Sequence, residues 1–231
     1  MEEKKKTPFF SEKRIEIIVA ILLSVTALCT AWASWIGSLH GGNQATNYTT
    51  SNNLAADGNE RYTAATRQLN ADMLTWDRIT EYSLDNSYAE DKGDMDTVEK
   101  SDYMLDQIMS NCEPEFLEAI NWAMEQDDDV SPFDKEGFID SYYEDAQAVL
   151  AESEEKLEEG KRDNANGDRY GLVSVFYSLV LFLLGIVGTF KHLPNRAVVL
   201  TASAVLFVLV TVFMITIPLP TGFNLLSYFG G

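Results

Sequence analysis

IIVAILLSVTALCTAWASWIGSL, residues Ile17–Leu39, contains no charged side chain. Two further stretches share that property, Tyr170–Phe190 and Ala197–Gly231. Each supplies the ~20 predominantly apolar residues that carry a helix across a ~30 Å hydrocarbon core. Inside lipid a backbone must satisfy its own hydrogen bonds, so such segments read as helices. The expected fold is an all-α membrane protein: three transmembrane helices, with an antiparallel helical bundle inserted between the first and second. The divisions are a basic tail over 1–14, spans over 15–39, 170–190 and 197–217, an insert over 40–169, a turn over 191–196 and an apolar tail over 218–231.

The charge is concentrated in the insert. The chain has 231 residues and a formal net charge of −19, while Gly37–Arg169 alone holds 32 Asp/Glu against 10 Lys/Arg. A surface this acidic repels nucleic acid and anionic lipid, so nucleic acid is not an expected partner. The plain reading of the acidity is solvation. Orientation follows from the lysines and arginines that flank the spans. With the N-terminus inside, Lys4, Lys5, Lys6, Lys13, Arg14, Lys191 and Arg196 lie on the cytoplasmic side. The reverse orientation gathers only Lys156, Lys161, Arg162 and Arg169 there, so the insert is expected outside. Lys13-Arg14 followed by Ala31-Trp32-Ala33 also resembles a cleaved secretory signal. The apolar run continues through Trp35, Ile36 and Leu39, which favours a retained anchor.

Beyond Gly41-Gly42 the chain reads as a polar helix over 43–84, with Tyr62, Ala65, Leu69, Trp76 and Ile79 at three- and four-residue spacing. Thr46–Glu60, rich in Asn, Thr and Gly, is the expected place for a bend. A turn at Tyr88–Asp94 precedes a helix over 95–111 that presents Val98, Leu105 and Ile108. Pro114 suits the first turn of a helix over 115–125, whose inward face is expected to be Phe116, Leu117, Ile120 and Met124. A final insert helix is expected from Lys135, burying Ile139, Tyr142, Ala146, Val149 and Leu157. Asn164–Gly167 either interrupts it or passes smoothly into the second span.

Two rows of small residues mark the first span. Thr30, Ser34, Ser38 and Gly42 fall four apart, as do Ala33, Gly37 and Gly41. Such rows let another helix approach closely in lipid. The partner is either the other spans of this chain or a second copy, with a pore lined by Thr30, Ser34 and Ser38 as the extreme case. Self-association or a membrane-protein partner is therefore expected besides the bilayer.

No catalytic constellation emerges, and no cofactor or metal is called for. His40 and His192 fall at opposite ends of the expected spans, and His40 reads as an interfacial polar residue. Phosphate loop, nucleophile elbow and dinucleotide fingerprint are all missing from the sequence. Asp127-Asp128-Asp129 fails the calcium-loop pattern, because Pro132 stands at the turn glycine and Phe138 at the bidentate glutamate. Cys29 lies in the first apolar run. Cys112 stands alone in the insert, either buried or available for an intermolecular contact.

Three motifs, Thr30–Trp35 with Gly41–Ala45, Pro114–Phe116 with Trp122 and Ser131–Phe133, and Asn166–Ile186, resemble an uncharacterised bacterial family of small three-span proteins with a helical extracytoplasmic insert. The resemblance implies a bacterial cytoplasmic membrane and an architecture, without an activity. The functional expectation is a non-enzymatic scaffold, sensor or complex subunit acting through its outward bundle. The alternative is a homo-oligomeric channel built around the first span.

Overall fold

The computed structural model describes residues 12–126, 130–190 and 195–228. Asp127–Asp129, the turn holding His192 and most of the basic tail lie outside the described residues. Among those described, the chain is all-helical and has no strand. The helices are α1 (Glu12–Lys92), α2 (Met95–Met109), α3 (Pro114–Met124), α4 (Phe138–Ser141), α5 (Glu144–Thr189) and α6 (Arg196–Thr216). Three of them, α1, α5 and α6, are long and apolar enough to cross a membrane.

α1 is a single helix of 81 residues, unbroken over Thr46–Glu60 where composition predicts a bend. The hydroxyls of Thr46 and Thr49 donate to the carbonyls of Gly42 and Ala45, at 3.0 and 2.8 Å. Bonded back onto the helix in this way, they no longer compete with it. The helix ends at Gly93, whose φ of +70° suits a residue without a Cβ. Asp94 then caps α2 by accepting from the backbone N–H and hydroxyl of Thr97. Those hydrogen bonds hold its carboxyl below the usual carboxylate range. α5 likewise passes through Asn164–Gly167 without interruption.

The chain divides into two compact units. Unit 1 comprises residues 1–50 and 155–231, and unit 2 comprises residues 51–154. Stretches 40–50 and 155–169, which hydropathy assigns to the insert, belong to unit 1 with the apolar helices.

Unit 1 packs α1, α5 and α6 around two apolar clusters. Ala33, Ile36, Tyr170, Val173, Tyr177, Val210 and Ile217 form one. Ile15, Val19, Val180, Leu184, Val187 and Leu200 form the other. The buried positions of α5 in unit 1 are spaced by three, four or seven: Gly160, Asp163, Tyr170, Val173, Tyr177, Val180, Leu184 and Val187. That 3.5-residue period keeps one seam facing a partner helix. α1 repeats it through Ile15, Val19, Thr26, Ala33, Ile36 and His40. Arg196 joins the α5–α6 hairpin, its Nε donating to the Val187 carbonyl at 2.8 Å.

Unit 2 is held by a different core, in which Ile79, Phe116, Ala119, Ile120 and Phe138 are buried. Phe116, Phe133 and Phe138 have ring centroids 5.8–6.2 Å apart. Three sequence expectations are corrected here. The inward face of α3 uses Ala119 and Ala123 beside Phe116 and Ile120, leaving Met124 exposed. The small alanines permit the close approach that the larger side chains would block. The last insert helix begins at Glu144, because Gly137, at φ +78°, and the turn at Tyr142–Tyr143 isolate the four-residue α4. Within α4 Phe138 faces the core and Ile139 is exposed, so the expected stripe fails at Ile139, while Ala146 is buried and Tyr142, Val149 and Leu157 are half-buried.

Candidate functional site

The polar centre of unit 1 lies where the apolar seams of α1 and α5 run into charged sequence. His40 continues the α1 seam, four residues beyond Ile36, and Asp163 continues the α5 seam, seven residues before Tyr170. Both are buried, and His40 Nδ1 lies 2.8 Å from Asp163 Oδ1. Asn47 Nδ2 donates to Asp163 Oδ2 at 3.2 Å. The Tyr170 ring stacks on the imidazole at 5.8 Å. Gly167 faces the same place: a Cβ there would be in ordinary van der Waals contact with the His40 Cβ at 3.5 Å and the Gly37 carbonyl oxygen at 3.6 Å.

The other ring nitrogen reaches a third chain segment. His40 Nε2 lies 3.1 Å from the carbonyl oxygen of Pro218, just beyond α6. Pro218 and Pro220 lack N–H groups, so the chain leaves the helix there and its carbonyls lose their usual donors. Side chains supply them. Tyr170 Oη donates to the Ile217 carbonyl at 3.3 Å, and Asn43 Nδ2 to the Thr221 carbonyl at 3.4 Å. Phe223 closes the segment by packing edge-on against Trp32 and Trp35. A cavity of about 420 Å³ adjoins the centre, lined by polar groups that include Asn43, Asn47, Glu159, Arg162 and Asn166.

No protein-family model, curated protein or solved structure matches the chain. Its function is therefore argued from its own geometry.

The small-residue rows of the first span separate into two environments. Ala33 is fully buried, and Gly37 lies against α5, where a Cβ would come 3.3 Å from the Tyr170 Cβ. Gly41, next in that row, faces open space. In the other row Thr30 is half-buried, while Ser34, Ser38 and Gly42 are exposed. Thr30 Oγ1 donates to the Thr26 carbonyl, and Ser34 Oγ lies 3.2 Å from Ser174 Oγ of α5. One row therefore serves packing within the chain over part of its length, and most of the other remains on the surface.

Unit 2 carries a second buried carboxylate. Asp72 accepts from Tyr142 Oη at 2.6 Å and from Gln68 Nε2 at 3.1 Å. Burial first, and the Asp72 carboxylate second, push the Tyr142 phenol well above its ordinary range. The same two causes raise the thiol of Cys112. Cys112 is half-buried, donates to the Ile108 carbonyl and packs against the aromatic core. A cavity of about 690 Å³ with Phe116, Phe138 and Tyr142 in its wall opens beside Asp72. Among the described residues, no group of three or more His, Cys, Asp and Glu is placed to hold a metal.

The sequence alone presents His40 as an interfacial residue and does not single out Asp163. The signal was present: extending the Tyr170–Val187 seam back by one heptad lands on Asp163, inside the otherwise hydrophilic run Lys161-Arg162-Asp163-Asn164. The Pro218 carbonyl carries no such signal, because a backbone acceptor has no residue identity.

Proposed function

We propose that the protein is a three-span integral protein of a bacterial cytoplasmic membrane, with its N-terminus inside and its acidic insert outside. It acts through protein contacts of that insert, as a scaffold, sensor or complex subunit, without catalysing a reaction. The membrane reading rests above all on the surface of unit 1. Ile21 and Leu28 on α1, Val175 and Phe182 on α5, and Leu209 and Ile215 on α6 are all more than half exposed. Facing water, apolar surface on this scale is a liability, whereas facing lipid it is an ordinary exterior. The orientation is supported by the flanking lysines and arginines. The contact role is supported by unit 2, which has its own aromatic core and a surface rich in carboxylates.

Two measurements test this. The protein should stay in the membrane pellet through carbonate extraction and be released by detergent; release by carbonate overturns the membrane reading. For orientation, Cys112 is a poor probe, being half-buried with its thiol held protonated. Exposed Ser87, replaced by cysteine in a Cys112→Ser background, is a better one. Labelling of Ser87→Cys by an impermeant thiol reagent is expected on intact spheroplasts. Labelling only after lysis reverses the orientation.

A second reading, self-association through the first span, is favoured by one observation. Ser34 and Ser38, one helical turn apart on α1, place exposed hydroxyls and small side chains on one face of that helix. In lipid such a face favours another helix over acyl chains. The mass of the detergent-solubilised particle decides whether one copy or several are present. If several, currents in planar bilayers that change with Ser34→Leu support the channel, and a silent oligomer removes it.

A further inference from the structure

We propose that His40 and Asp163 form a proton-operated latch that fastens the segment after α6 to α1 and α5. The Pro218 carbonyl can only accept, so His40 Nε2 must carry a hydrogen to meet it at 3.1 Å. The 2.8 Å contact between Nδ1 and Asp163 Oδ1 needs a second hydrogen, which resides on the ring or on the carboxyl. Asn47 already donates to the other carboxylate oxygen. Both contacts of the imidazole therefore exist together only while the pair holds that second proton.

Removal of the proton leaves a neutral ring with one N–H between two acceptors. The ring keeps the stronger, charge-assisted bond to the Asp163 carboxylate. Nε2 then turns a lone pair toward the Pro218 oxygen, and that contact becomes repulsive. The segment keeps the Tyr170 bond to the Ile217 carbonyl, the long Asn43 bond to the Thr221 carbonyl, the burial of Ile217 and Pro220 and the packing of Phe223. The latch is closed on the acid side and opens as pH rises, the opposite sense to a carboxylate accepting from a neutral donor. Opening lifts Pro218, Leu219 and Thr221 from the wall of the 420 Å³ cavity and exposes its polar lining.

The charged and titratable groups facing the ring all come from α5: Asp163, Tyr170 stacked on it, and Glu159 and Arg162 around the cavity. α1 contributes Asn43 and Asn47, and residues 217–226 bring no titratable side chain.

The chain contains two histidines, which makes the test direct. Full-length protein carrying His192→Gln and imidazole-15N histidine, in nanodiscs, gives signals from His40 alone. On the acid side both nitrogens should be bonded donors; with rising pH, Nε2 should become the unprotonated nitrogen. A spin label at Leu219→Cys, in a Cys29→Ser, Cys112→Ser background, should gain mobility over the same pH interval. In His40→Gln that pH dependence should vanish. A structural histidine predicts neither the coupled mobility change nor its loss in the variant. The proposal is overturned if Nε2 stays protonated throughout, or if His40 titrates while the label's mobility is unchanged. The nitrogen spectra of the His192→Gln protein, with His40 intact, keep the test decisive even if His40→Gln fails to fold.

Discussion

Among the described residues each unit buries one aspartate, and the two are built differently. Asp163 of unit 1 meets an imidazole and an amide, while Asp72 of unit 2 meets a phenol and an amide. Tyr142 and Gln68 are both half-buried, so water can replace Asp72 as their partner. His40 is almost completely buried and has no such recourse. The lesson is that a buried carboxylate gains its importance from what its loss would strand. Removing Asp72 strands two neutral groups near solvent, whereas removing Asp163 strands a ring that can carry charge.

The largest effect should come from Asp163→Ala. With the ring protonated, breaking the buried pair from one side costs about 3–5 kcal/mol, read on the acid side as a fall in the unfolding midpoint in detergent. Adding His40→Ala should recover part of the loss, because the stranded group is gone. Strict additivity of the two substitutions would break the comparison. Asp72→Ala should cost less, about 1–3 kcal/mol, the penalty of unmade neutral hydrogen bonds. Equal losses at Asp72 and Asp163 would mean that the partner's chemistry is irrelevant.

Within unit 1 the contrast between the small-residue positions is equally testable. Gly37→Leu must displace Tyr170 and should cost about 1–3 kcal/mol as overpacking does. Gly41→Leu enters open space and should leave the same midpoint within about 0.5 kcal/mol. The smallest expected effect concerns Cys112. Its raised thiol should alkylate more slowly than an exposed cysteine at neutral pH, with the rate rising only at higher pH. Asp72→Asn should accelerate the reaction modestly, because burial is the larger cause.

The long elements were legible because their signals are long. An uncharged run of more than twenty residues, or an apolar residue every third or fourth position, survives local ambiguity. The short ones were not. α4 spans four residues, and whether Phe138 or Ile139 faces inward turns on the backbone of Gly137 and the break at Tyr142–Tyr143. On α3, the choice between alanines and larger side chains for the inner face depends on how closely its neighbours approach. The two small-residue rows of the first span are visible as spacing, but spacing does not say which row meets α5.

The sequence by itself determined the helical class, the three apolar segments and the concentration of negative charge between them. Those properties follow from composition and period, which act locally along the chain. Tertiary structure alone decided that His40 and Asp163, 123 positions apart, share a bond, and that a proline carbonyl completes their site. The physical reason is that a seam period names a face and not the residue opposite. The register between two helices is chosen by the whole of their packing.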